Sequence, residues 1–187
     1  MLLVLLVGSS LFAQNSSRAV KDYQPCQIGG LEVVQTDRLP SRPMVRSVTT
    51  SRGERDITML DGYRILYVLP PEELMLNMKY EWLEPSTYEQ QKADLIDAAE
   101  KRSRDNGMQP EVKHRNSHGD DAYTETSQKL EGGVLSISQI FDDNKHTVMT
   151  IYYLNQEPEK RAFKTMPEFL KLRDRILTEA QNCMSAP

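Results

Sequence analysis

Cysteine is scarce in this chain of 187 residues: there are two. Two thiols cannot build a disulfide-dense miniprotein or a four-thiolate zinc site. Aromatic residues are few as well, with 4 Phe, 8 Tyr and 1 Trp, so a core has to lean on Leu, Ile, Val and Met. Positive charge is short of negative, giving a net charge of -4. That balance argues against a dedicated nucleic-acid binder, which is normally basic. No G-x-S-x-G, P-loop, G-x-G-x-x-G or H-E-x-x-H run occurs, so no familiar catalytic or phosphate-cradling arrangement can be read from the chain.

What is present begins with an apolar run, Met1 to Val7, followed by Gly8, Ser9 and Ser10, and then by Ala13 before a polar stretch. This is the layout of a cleavable signal peptide over residues 1–13, with cleavage after Ala13, although no basic residue precedes the run. The reading places the protein in a secreted or periplasmic, oxidising compartment, where Cys26 and Cys183 are expected to join as a disulfide. Such a bridge would close a loop worth about 4–5 kcal/mol in the chain-entropy account. The alternative is two separate buried thiols.

Residues 14–53 read as a loosely ordered N-terminal arm, punctuated by Pro25, Gly29-Gly30, Pro40 and Pro43, with a short strand suggested at Leu31–Val34. Between Arg38 and Arg55 lie Arg38, Arg42, Arg46, Arg52 and Arg55 against the single carboxylate Glu54. This cluster either contacts an anionic envelope surface or lies on the protein's own acidic body. The second alternative is the plainer one, because no aromatic residues are interleaved with the arginines.

A single α+β domain is expected over residues 54–184. Ile57–Leu60, Asp61-Gly62 and Tyr63–Leu69 read as a hairpin with a two-residue turn. Leu74, Leu76, Met78, Tyr80 and Trp82 alternate with Met75, Asn77, Lys79, Glu81 and Leu83, the clearest strand signal in the chain. A helix then opens on a Ser86-x-x-Glu89 capping box, carries Tyr88, Leu95, Ile96 and Ala99 inward, and closes at Gly107. Strands at 111–116, 122–130, 134–141 and 146–154 form an antiparallel meander, the last of them central because it is apolar on both parities. A final helix starts at Thr165-Met166-Pro167-Glu168 and turns Phe169, Leu172, Ile176, Ala180 and Cys183 inward. The expected fold is therefore an antiparallel sheet ordered hairpin, strand, helix, meander, C-terminal helix, with both helices packed on one face.

The strand around Met75-Leu76-Asn77-Met78-Lys79-Tyr80, the helix opening Ser86-Thr87-Tyr88-Glu89, and Gly132-Gly133-Val134-Leu135 ahead of an apolar strand and terminal helix resemble the Mog1/PsbP-like fold. The resemblance covers residues 54–182 and rests on element order. Its members include nuclear-transport accessories, photosystem subunits and exported bacterial proteins of unassigned role. It implies a non-catalytic scaffold or binding module and transfers no site residue.

His114-x-x-x-His118-Gly119-Asp120-Asp121 is the one place where imidazole and carboxylate crowd together. A divalent metal needs three or four converging ligands, and a strand running into a loop does not supply the helical spacing that makes two histidines converge. Asp142-Asp143-Asn144 reads as a hairpin turn rather than a calcium loop, and the neighbours Glu72-Glu73 diverge. Tyr80 and Trp82 read as core, or else as the wall of a cleft for a small apolar ligand. The functional expectation is an exported, non-catalytic binding or accessory module without a cofactor, whose partner is a protein or small ligand. The alternatives are docking on anionic surfaces through the Arg-rich arm and a metal-dependent enzyme using His114 and His118.

Overall fold

The computed structural model describes residues 24–39, 43–70, 74–114, 121–126, 135–154 and 163–184. The expected signal peptide, Arg42, Glu72-Glu73, His118 and Gly132-Gly133 lie outside the described residues. The strand at Leu74–Leu83 (β4) forms as its alternation requires: Leu74, Leu76, Met78 and Tyr80 are buried, while Met75, Asn77 and Lys79 are half-buried. It pairs antiparallel with Gly53–Leu69 (β3) on one side and with Thr147–Leu154 (β8) on the other. The strands Gln109–His114 (β5), Asp121–Thr126 (β6) and Leu135–Asp142 (β7) complete an antiparallel meander with β8. The fold is α+β, and with Glu32–Arg38 (β1) on the outer side of β3, β8 lies at the middle of the sheet order β1-β3-β4-β8-β7-β6-β5.

The expected hairpin at Asp61-Gly62 is absent. Residues 53–69 form one strand of 17 residues, because β4 pairs with Met59–Leu69 and so continues straight past Asp61-Gly62. The pairing slips between Met59 and Asp61, a bulge that admits one extra residue. With a period of two, one extra residue exchanges the faces. Ile57 therefore shares a core with Leu83, whereas Tyr63, Ile65 and Tyr67 share one with Leu76 and Met78. Gly62 serves close approach rather than a turn: a Cβ there would lie 2.7 Å from the Tyr80 carbonyl oxygen and 2.9 Å from Leu39 Cδ1. The actual turn lies at Ser51-Arg52, followed by Gly53 at φ 100°.

The expectation of a loose arm over 14–53 is corrected for its described part. Glu32–Arg38 (β1) and Met44–Thr50 (β2) are strands that share the outer edge of β3, β1 beside Tyr63–Val68 and β2 beside Gly53–Met59. They are hard to read from sequence because an edge strand keeps much of its surface in water and needs little apolar alternation. Val33, Val34 and Val45 are exposed on them. Further upstream, Cys26 is bonded to Cys183, a sequence separation of 157. The segment 24–31 follows this bond along the second helix: Gly29 N donates to Glu179 Oε2 at 2.5 Å and Arg175 Nη1 to the Gly29 carbonyl at 2.6 Å. Tyr67 donates its hydroxyl to the Cys26 carbonyl at 3.0 Å.

Two helices cover the sheet, Tyr88–Asn106 (α1) and Met166–Met184 (α2). Alternate residues of β8 and β7 enter different cores. Met149, Ile151, Tyr153 and Ile140 pack with Phe169, Ile176, Leu177 and Ala180 of α2. Val148 and Phe141 pack with Tyr88 and Leu95 of α1. Each helix thus packs into its own core cluster. The apolar parity of β8 follows from this, since both of its faces are covered.

Candidate binding site

Tyr80 and Trp82 do not wall a cleft. Their rings meet edge to face with centroids 4.5 Å apart, Tyr63 stands edge-on to Trp82 at 6.2 Å, and all three belong to the core beneath α2. The open space is on the other face, where the alternation of β4 sends Lys79 and Glu81 outward from the α2 core.

There, the C-terminal half of α1 stands over β2, β4, β8 and β7 and leaves a cleft of about 440 Å³. Two short side chains line it, Ala98 on the helix and Thr150 on the central strand. Its floor is Gln139, Thr150 and Tyr152; its charged walls are Arg46, Lys79 and Glu81 from the sheet and Lys101, Arg102 and Asp105 from α1. Four cations therefore face two carboxylates, and both carboxylates are engaged. Arg46 Nη2 donates to Glu81 Oε2 at 3.0 Å, and Lys101 Nζ to Asp105 Oδ2 at 2.6 Å. Glu81 is the buried member of its pair, its side chain 4% exposed against 38% for Arg46. Lys79 Nζ lies 5.5 Å from the centre of the Tyr152 ring, a cation–π contact.

Two buried polar atoms among these residues have no hydrogen-bond partner among the described residues, Arg46 Nε and Gln139 Oε1. Gln139 is 6% exposed on a central strand. Leaving a buried polar atom unpaired costs about 1–3 kcal/mol, and both atoms are closed to solvent rather than open to the cleft. The lining presents donors, acceptors, charge and one aromatic ring, a set suited to holding a ligand. Sequence reading passed over this cleft because its residues come from five separate elements. The one available signal was the polar parity of β4, Asn77-x-Lys79-x-Glu81, on a strand otherwise buried on both sides.

The other sequence candidates fall elsewhere. His114 ends β5 opposite Asp121, and its proposed companion His118 lies outside the described residues. Among the described residues no group of three or more His, Cys, Asp or Glu is placed to hold a metal ion. Asp142 closes the β7–β8 turn, its Oδ1 accepting from the backbone N–H groups of Asn144 and Lys145, both at 3.0 Å. Three of the five clustered arginines are paired within the chain: Arg38 with Asp61 at 2.6 Å, Arg46 with Glu81, and Arg52 with Asp94 at 2.9 Å. No helix among the described residues is long and apolar enough to cross a membrane. Comparison with protein-family models, with curated proteins and with solved structures yields no match to this chain.

Proposed function

We propose that this protein is an exported, non-catalytic binding module whose ligand occupies the cleft beneath α1. The observation that carries the reading is one concave space of about 440 Å³ lined by basic and acidic side chains from the sheet and α1, with Lys79 over the Tyr152 ring. The leader-like residues 1–13 and the Cys26–Cys183 bond support export, since such bonds persist in oxidising compartments. The element order that resembles the Mog1/PsbP-like group supports a scaffold role over an enzymatic one. The pairing of Arg38 and Arg52 with carboxylates of the same chain speaks against an anionic surface as the place of binding.

The test is a backbone-amide NMR titration against a panel of small acidic, basic and neutral molecules. Shifts should concentrate at Lys79, Gln139, Thr150, Tyr152 and the last two turns of α1. Ala98→Leu, which fills the cleft, should abolish them. Shifts scattered over the surface, or persisting in the filled variant, would overturn the reading.

A further inference from the structure

This inference rests on the cleft being a ligand site and names the class of ligand. We propose that the cleft and the sheet surface beside it bind an amphipathic monocarboxylate, one carboxylate head on one short alkyl chain. Strand register sets out the surface. On the cleft's side of the sheet, Arg64, Lys79 and Thr150 lie side by side across β3, β4 and β8. In the next row Leu66 and Tyr152 flank Asn77, and in the one after it stand Val68, Met75 and Leu154. Lys79, Thr150 and Tyr152 line the cleft; the apolar residues of the further rows carry the surface on beyond it. Leu66, Val68, Met75, Tyr152 and Leu154 are half-buried, and among the described residues none of them joins the core under either helix. An apolar strip therefore begins where the cleft ends, with Tyr152 common to both. A depression of about 140 Å³ beside Leu66 and Asn77 continues it toward β1.

Lys79 stands at the junction. Its neighbours are neutralised within the chain: Arg64 by Asp37 at 3.0 Å, Arg46 by Glu81 and Lys101 by Asp105. Lys79 forms no ion pair with a described residue, and its contact is the Tyr152 ring. A half-buried ammonium without a counter-charge favours an incoming anion. The strip spans β3 to β8, about 10 Å at ordinary strand spacing, and its two rows lie about 7 Å apart along the strands. Such a patch matches one short alkyl chain and falls well below the roughly 800 Å² that each partner gives to a stable protein interface. One cation at the end of one apolar strip is complementary to one carboxylate at the end of one chain.

The experiment compares octanoate, acetate and octylammonium by NMR titration and calorimetry on the full disulfide-bonded chain. Acetate keeps the head without the chain, and octylammonium keeps the chain with the opposite charge. Octanoate should saturate the amides of Leu66, Met75, Lys79, Tyr152 and Leu154 together. It should bind at least about tenfold more tightly than acetate, the scale of two buried methylene groups. It should exceed octylammonium by a similar factor, the scale of one hydrogen bond to a charged group. Lys79→Met should remove the preference for octanoate over octylammonium. Met75→Ser should weaken octanoate about fourfold, the scale of one methylene group, and leave acetate unchanged. If Met75→Ser does not fold, Leu66→Ser is the second variant and should act in the same way. Equal binding of octanoate and octylammonium, or octanoate binding indifferent to Lys79→Met and to the serine variants, overturns the amphiphile assignment. So does binding to phosphatidylglycerol vesicles in place of octanoate, which would make the strip a membrane contact. Saturable cleft shifts with acetate equal to those with octanoate, or with another panel molecule but not octanoate, overturn the assignment and leave the cleft reading standing. Failure of every molecule to perturb the cleft overturns both.

Discussion

Gly62 shows how a single residue can look like one device and serve as another. Asp-Gly is a strong turn signal because glycine tolerates positive φ, yet here the absent Cβ is what matters. The atom it would meet first is the backbone carbonyl oxygen of Tyr80, held in the β3–β4 ladder, so it cannot swing aside as a side-chain tip could. We expect Gly62→Ala to cost about 1–3 kcal/mol, the usual scale of overpacking, measured as a lower urea midpoint at unchanged slope. An unchanged midpoint would show that the bulge yields. The buried tyrosines carry a pH dependence. Burial pushes the Tyr67 phenol well above its ordinary value, and burial together with the Asp143 carboxylate, which accepts its hydrogen bond at 2.9 Å, does the same for Tyr88. An acid whose folded pKa is raised contributes stability that is complete below its unfolded value, near pH 10, and lost as pH climbs toward the folded one. Urea midpoints should therefore be level in this respect up to about pH 10 and fall above it, and Tyr88→Phe should make the alkaline fall shallower.

At the scale of elements, the two helices share a sequence signature and differ in how it is used. Thr165-x-x-Glu168 forms a working capping box: Glu168 Oε2 accepts from the N–H groups of Lys164 and Thr165 at 2.6 and 3.2 Å, and Thr165 Oγ1 accepts from Glu168 N at 3.4 Å. Ser86-x-x-Glu89 does not, because a short 3-10 turn at Pro85–Thr87 shifts the start of α1 to Tyr88. Glu84 takes over the role, accepting from Ser86 N at 3.4 Å. We expect Glu168→Ala to cost about 1 kcal/mol and Glu89→Ala less than about 0.5, measured by urea unfolding. Equal losses would show that both boxes form in solution. The C-terminal end of α1 behaves as its sequence suggests, with Gly107 left-handed at φ 63° and its N–H returned to the Ser103 and Arg104 carbonyls. The β2–β3 turn is also pinned to α1, through Arg52 on the buried Asp94 and Ser51 on Asp97. The Ser51 hydrogen bonds hold the Asp97 carboxyl below its ordinary range.

Over the whole molecule, the longest-range constraint is covalent. The Cys26–Cys183 bond spans 157 residues and fastens the entry of the described chain to the end of α2. In the chain-entropy account, closing so long a loop contributes about 5 kcal/mol. Reduction, or the paired change Cys26→Ala and Cys183→Ala, should lower the thermal midpoint markedly and first release the segment 24–31, read as faster amide exchange at Ile28 and Leu31. A midpoint indifferent to reductant would mean that the Tyr67, Glu179 and Arg175 contacts hold this segment unaided.

Local pattern was enough for β4, β8, the meander, the two helices and the cysteine pair, because each is written in neighbouring residues as a period of two, a period of three to four, a cap or a lone pair of thiols. The faces, the edge and the cleft were beyond it. A single extra residue in β3 redirects every side chain before it, and nothing near Leu60 announces the slip. β1 and β2 exist because β3 offers a free edge, not because their own residues demand burial. Arg46, Lys79, Gln139 and Arg102 lie far apart along the chain and become neighbours once α1 crosses the sheet. Sequence alone determined which segments could extend or coil; only packing decided which side each residue faces, since that depends on register between strands distant in the chain.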